Sequence, residues 1–70
     1  MRGTRRNLEW FRLAYEAYAS PTRESFMREY NRTAEQWEEA QVFLRVMLHL
    51  DNEAPELFEE LFERAFPDAP

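Results

Sequence analysis

The side chains that could take part in catalysis are few in this sequence. His49 is the only imidazole and there is no cysteine, so neither a cysteine nucleophile nor a structural zinc site can be assembled. Carboxylates are plentiful, but a hydrolase needs them in a concave pocket where the pKa of one is raised, and a bundle of 70 residues rarely forms such a pocket. The EF-hand spacing is missing, and residues 51–53 (Asp-Asn-Glu) are typical of a helix cap. We therefore expect no enzyme, no metal site and no cofactor, and we expect His49 to be solvated.

The acidic side chains are concentrated in the second half of the chain. Residues 35–70 carry ten acidic side chains and two arginines, a net charge of −8, whereas residues 1–34 have a net charge of +3. Helix surfaces usually mix both signs, because like charges three or four residues apart repel each other slightly. In residues 55–66 (PELFEELFERAF) only Glu60 has a cation, Arg64, at the favourable spacing. The predicted acidic stripe comprises Glu35, Glu38, Glu39, Glu53, Glu56, Glu59, Glu60 and Glu63.

Two interpretations of this stripe are open. It is either the solvated outer face of amphipathic helices or a surface that binds a partner. Carboxylates three or four residues apart on a helix are displaced by about 4.5–6 Å along its axis. Phosphates on one nucleic-acid strand advance by about 3.4 Å, a distance of the same order. An acidic stripe could therefore occupy a basic groove that normally binds nucleic acid.

The leading hypothesis is accordingly a small protein–protein interaction module without enzymatic activity. Its most specific form is an inhibitor that blocks a basic, nucleic-acid-binding surface of a protein partner by charge mimicry. Inhibitors of this kind are typical of phages and mobile elements and include anti-CRISPR proteins. The analogy rests on size and acidity alone.

The first alternative is a small DNA-binding or antitoxin-like regulator. Arg2, Arg5, Arg6 and Arg12 would contact the nucleic acid, together with a helix-turn-helix-like segment at residues 26–43. The second helix of that segment begins with glutamates, and carboxylates oppose binding to phosphates. We therefore expect direct nucleic-acid binding to be the weaker hypothesis.

The second alternative is a homodimeric accessory subunit. The first predicted helix has apolar side chains over more than half of its circumference, more than one packing face requires. Such a helix is either buried from two sides or partly exposed for association. The side chains predicted for an apolar contact are Trp10, Phe11, Tyr15 and Tyr18.

The elements that would position these residues are all predicted to be helical. The apolar spacing indicates helices at about 8–19, 21–31, 34–50 and 53–66, with a capping box at Thr33–Gln36 and a left-handed residue at Asn31. Strand signals are absent. We predict a single all-α domain over residues 1–70, a compact bundle of four short helices with loose tails at 1–6 and 67–70. No run is apolar enough to cross a membrane or to form a signal peptide, and a cytoplasmic location is expected.

Overall fold

Residues 8–67 are described in a computed structural model, and within that range the chain forms four helices. They are α1 (Glu9–Tyr18), α2 (Arg23–Tyr30), α3 (Ala34–Glu53) and α4 (Pro55–Ala65). No strand occurs between residues 8 and 67. The predicted all-α bundle of four helices is therefore confirmed. The predicted tails lie outside the described residues, apart from Pro67.

The turn between α2 and α3 has the local structure that its residues predict. Asn31 ends α2 with φ 56° and ψ 48°, the left-handed conformation that asparagine tolerates. The hydroxyl of Thr33 accepts a hydrogen bond from the backbone N–H of Gln36 at 3.1 Å. The Gln36 side chain in turn accepts one from the N–H of Thr33 at 2.9 Å, which completes the capping box.

Thr33→Ala is expected to lower the free energy of unfolding by about 1 kcal/mol, because the N–H of Gln36 loses its acceptor. Thr33→Ser keeps an accepting hydroxyl and is expected to retain the stability of the parent protein. Urea denaturation followed by circular dichroism compares the two variants. Equal losses from alanine and serine would contradict the importance of this cap.

Three predicted boundaries differ from the structure by two or more residues: the starts of the second and fourth helices and the end of the third. The second helix begins at Arg23 and not at residue 21, because the Thr22 side chain accepts from the Ser25 N–H and caps the helix there. The third helix continues to Glu53, so Asp51 and Asn52 lie inside it and do not cap the fourth.

Pro55 explains where α3 actually ends. A residue that precedes proline is disfavoured in the α region, and Ala54 has φ −145° and ψ 70°. Ala54 therefore separates α3 from α4 as a single non-helical residue, and Pro55 occupies the first turn of α4, where its missing N–H is not needed.

Helix α1 occupies the centre of the bundle and packs against the other three helices. One side contributes Phe11 and Ala14 to a cluster with Met47 of α3 and Ala65 of α4. The other side contributes Leu13 and Ala17 to a second cluster, which also contains Phe26 of α2 and Ala40 of α3. The wide apolar surface of α1 is thus buried from two sides.

Aromatic side chains fill the space around both clusters. Trp10 lies against Phe11 with ring centroids 5.6 Å apart, and Phe11 lies 5.2 Å from Phe58 of α4. In the second cluster the ring centroids of Phe26 and Trp37 are 5.2 Å apart. Contacts of this geometry add stabilisation beyond the buried area, which a bundle of this size needs because no disulfide is available.

Candidate interaction surface

The acidic side chains of α4 form one exposed face of that helix. Phe58, Leu61, Phe62 and Ala65 pack inward on the core. The other side exposes Glu56, Glu59, Glu60 and Glu63, which we call the acidic face of α4. Leu57 lies at its margin and is 45% exposed.

One member of the acidic face of α4 is neutralised within the fold. Glu60 forms an ion pair with Arg64 at 3.0 Å, as their spacing predicts. Glu56, Glu59 and Glu63 form no ion pair with any of residues 8–67. Three exposed carboxylates at helical spacing thus lie on a helix whose other side is held by the core.

Arg12 anchors the carboxyl-terminal end of α4. Its guanidinium donates a hydrogen bond to the backbone oxygen of Ala65 at 2.9 Å and lies 4.8 Å from the ring centroid of Phe66. A cation at this position satisfies a terminal carbonyl and offsets the negative end of the helix dipole. The acidic face is therefore presented on a helix fixed at both ends, by Ala54-Pro55 and by Arg12.

The predicted acidic stripe is not continuous in the structure. Glu35, Glu38 and Glu39 are exposed near the amino-terminal end of α3, whereas Glu53 is its last residue. Eighteen residues of helix between Glu35 and Glu53 correspond to about 27 Å. The carboxylates of α3 therefore do not form one surface from end to end, and Glu53 belongs to α3 and not to α4.

A mixed surface separates these glutamates along α3. The side of α3 that faces away from Ala40 and Met47 carries exposed residues spaced three or four apart. We call it the outer face of α3, and its members are Glu35, Glu38, Val42, Arg45, Val46 and His49. Val42 is 63% exposed and Val46 is 52% exposed. His49 is solvent-exposed, as the polar surroundings in the sequence predict.

The predicted apolar contact residues separate into core and surface. Phe11 is fully buried, so it has no surface to offer a partner in this fold. Trp10 and Tyr15 are partly buried and pack against the first cluster. The ring centroids of Tyr15 and Phe62 are 4.9 Å apart. Tyr18 is 58% exposed.

The arginines predicted to contact nucleic acid are in part engaged inside the protein. Arg12 holds α4 as described above, and its Nε lies 3.9 Å from a carboxylate oxygen of Glu16. Arg2, Arg5 and Arg6 lie outside the described residues. The helix-turn-helix-like segment at 26–43 does contain two helices and a three-residue turn. Its second helix, however, exposes glutamates at its start.

A partly buried ion-pair network joins α1 to the turn before α3. Glu16 is only 5% exposed, and Arg32 donates to it from Nε at 2.7 Å. A second nitrogen of Arg32 donates to Glu9 at 3.1 Å. Burial alone would lower the pKa of Arg32, but the hydrogen bonds and charges of Glu16 and Glu9 outweigh it and the pKa is raised. The sequence does not predict this pair, since no spacing rule links residues 16 positions apart.

Comparison of the chain with protein families, with curated proteins and with solved structures finds no match. Within residues 8–67 no helix is both long and apolar enough to cross a membrane. The same part of the chain contains no cluster of three or more histidine, cysteine or acidic side chains that could hold a metal ion.

Proposed function

We propose that this protein is a small protein–protein interaction module whose acidic face of α4 binds a basic surface of a partner. The observation that supports the proposal is the set of exposed carboxylates Glu56, Glu59 and Glu63, which pair with none of residues 8–67 and lie on a helix that the core and Arg12 hold in place. Opposite charges accelerate the encounter of two proteins, and Leu57 at the margin supplies apolar area that can be buried on contact.

The preferred partner is a protein whose basic surface normally binds nucleic acid. Successive carboxylates on this face are displaced by about 4.5–6 Å along the helix, the same order as the advance between phosphates on a strand. In this proposal the protein acts in the cytoplasm as an inhibitor that competes with nucleic acid. A phage or mobile-element inhibitor of a defence system, such as an anti-CRISPR protein, is the most specific form of this hypothesis.

The triple variant Glu56→Arg, Glu59→Arg and Glu63→Arg is expected to weaken binding to such a partner by roughly a hundredfold or more, because three attractions become repulsions. This variant leaves Glu60 and its ion pair with Arg64 intact. The matched control reverses Glu24, Glu29 and Asp51, three exposed acids on other helices, and is expected to bind as the parent does.

The measurement has two stages. The parent, triple variant and control are immobilised and exposed to a host lysate, and a protein retained by the parent and control alone is then purified. Duplex DNA and the parent are next allowed to compete for that protein. Mutual exclusion supports the proposal. A captured protein that binds DNA and the parent at the same time would overturn it. Equal capture by the parent, the triple variant and the control would overturn it as well.

A mobility-shift assay of the parent with duplex DNA at low salt tests the regulator hypothesis directly. No shift is expected, because Arg12 is engaged in the fold and the second helix of the 26–43 segment exposes carboxylates. A shift that weakens steeply with salt would favour the regulator over the inhibitor.

A further inference from the structure

The order of charges along the outer face of α3 is complementary to itself. Glu35 and Glu38 precede Val42, whereas Arg45 and His49 follow it. All are exposed, and Arg45 forms no ion pair with any of residues 8–67. Between Glu35 and His49 the face has acid at one end and basic groups at the other, and such a stretch attracts a copy of itself only when the two helices run in opposite directions. Glu53 lies one turn beyond His49 on the same side, and in an antiparallel pair it extends past Glu35 of the second copy.

We propose that the outer face of α3 binds the same face of a second copy of this chain, in an antiparallel arrangement centred on Val42. A two-fold axis perpendicular to the helices makes such an interface isologous, so each contact occurs twice. The proposal goes beyond the proposed function and does not depend on it, because the acidic face of α4 takes no part in the contact.

The register follows from the residue spacing. Arg45 lies three residues after Val42 and Glu38 lies four before it. At the helical rise, each is therefore about 4.5–6 Å from the two-fold axis, measured along the helix. Antiparallel packing then places Arg45 beside Glu38 of the second copy. His49 and Glu35 are both seven residues from Val42, about 10.5 Å along the helix, and the imidazole N–H can donate to the carboxylate.

Alternative registers are less favourable. Centring the pair on Val46, about one turn further along, places Glu39 of each copy opposite Glu53 of the other and leaves Arg45 without an acidic partner. Like charges in direct opposition weaken association, whereas the register centred on Val42 pairs opposite charges. The charge pattern therefore selects one register as well as the antiparallel direction.

The composition of the outer face indicates a weak and reversible dimer. The apolar contact consists of Val42 and Val46 from each copy, and the remaining contacts are charged groups near the margin. Interfaces of this kind fall in the small class, below about 1,200 Å² of total buried surface, and their charge pairs are screened by salt. Dimerisation should therefore depend on concentration and weaken as salt is added.

Sedimentation equilibrium of the full chain over a concentration series at low salt measures this association. The average mass of the parent is expected to rise towards twice that of the monomer. Arg45→Glu and Glu38→Arg are each expected to raise the dimer dissociation constant by roughly tenfold or more, because each places like charges together. Arg28→Glu makes the same charge change on the exposed surface of α2 and is expected to leave the constant unchanged.

Mixing the two interface variants in equal amounts provides the sharpest test. In the mixed dimer, the glutamate introduced at position 45 of one copy faces the arginine introduced at position 38 of the other. The second pair is the native Arg45 with the native Glu38, so association should recover to the parent level. Circular dichroism establishes that both variants are folded. A parent that remains monomeric at every concentration, or variants that do not recover on mixing, would overturn the proposal. A dimer that Tyr18→Ala dissociates and Arg45→Glu leaves intact would place the contact on α1 and overturn it as well.

Discussion

Glu16→Ala is expected to lower the free energy of unfolding by about 3–5 kcal/mol, because Arg32 would be left partly buried without its closest partner. A chain of this length has a total stability of roughly 3.5–10 kcal/mol, so the variant should be close to unfolded at room temperature. Urea denaturation followed by circular dichroism measures the loss. Arg32→Ala leaves Glu16 buried with only Arg12 nearby, at 3.9 Å, and should cost a similar amount.

The matched control for this prediction is Glu9→Ala. Glu9 contacts the same guanidinium at 3.1 Å, but its side chain is exposed and the pair is accessible to solvent. Exposed ion pairs contribute about 0–1 kcal/mol, so this substitution should have a small effect. If Glu16→Ala and Glu9→Ala destabilise the protein equally, burial is not what makes the Glu16 pair important.

Phe11→Ala is expected to lower the free energy of unfolding by about 3–5 kcal/mol as well. Phe11 is fully buried at the centre of the first cluster, where it contacts both Trp10 and Phe58, and alanine would leave a cavity that these rings cannot fill without moving. Phe11→Leu fills most of the volume and should lose less. Tyr18→Ala removes an exposed aromatic ring of the same helix and should change stability by no more than about 0.5 kcal/mol.

Each cluster contains one tryptophan, which allows this prediction to be followed locally. Trp10 packs in the first cluster and Trp37 in the second. In the parent protein the fluorescence of both should change at the same urea concentration, as expected for a single cooperative domain. An unchanged denaturation midpoint for Phe11→Ala would show that the first cluster does not hold the fold together.

The helices and the surface of this protein follow from local sequence rules. Thr33 and Gln36 form the predicted capping box, Asn31 adopts the predicted left-handed conformation, and Glu60 pairs with Arg64. These features depend on residues within four positions of each other. The exposure of the acidic face of α4 follows in the same way, since one side of an amphipathic helix must remain in solvent.

The features that the sequence did not predict depend on tertiary packing. Glu16 is one of the few charged residues of α1 and a charged side chain is expected in solvent, yet it is buried and paired with Arg32 from the turn before α3. The regulator hypothesis predicts that Arg12 contacts nucleic acid, yet in the structure it binds the end of α4. In both cases a charged side chain is satisfied by a residue from a distant part of the chain, which periodicity cannot reveal. The end of α3 at Ala54 differs from the prediction for a local reason, since the effect of Pro55 on the preceding residue outweighs the capping tendency of Asp51 and Asn52.

The hydrogen bond from Arg12 to Ala65 also bears on how the chain folds during synthesis. It joins positions 53 residues apart, and the first cluster combines α1 with Ala65 and Phe66. When α1 leaves the ribosome, the side chains that cover one of its apolar sides have not yet been translated. The nascent chain therefore cannot complete its core until Ala65 and Phe66 have emerged, and a product that stops before them would expose aromatic surface to chaperones and proteases.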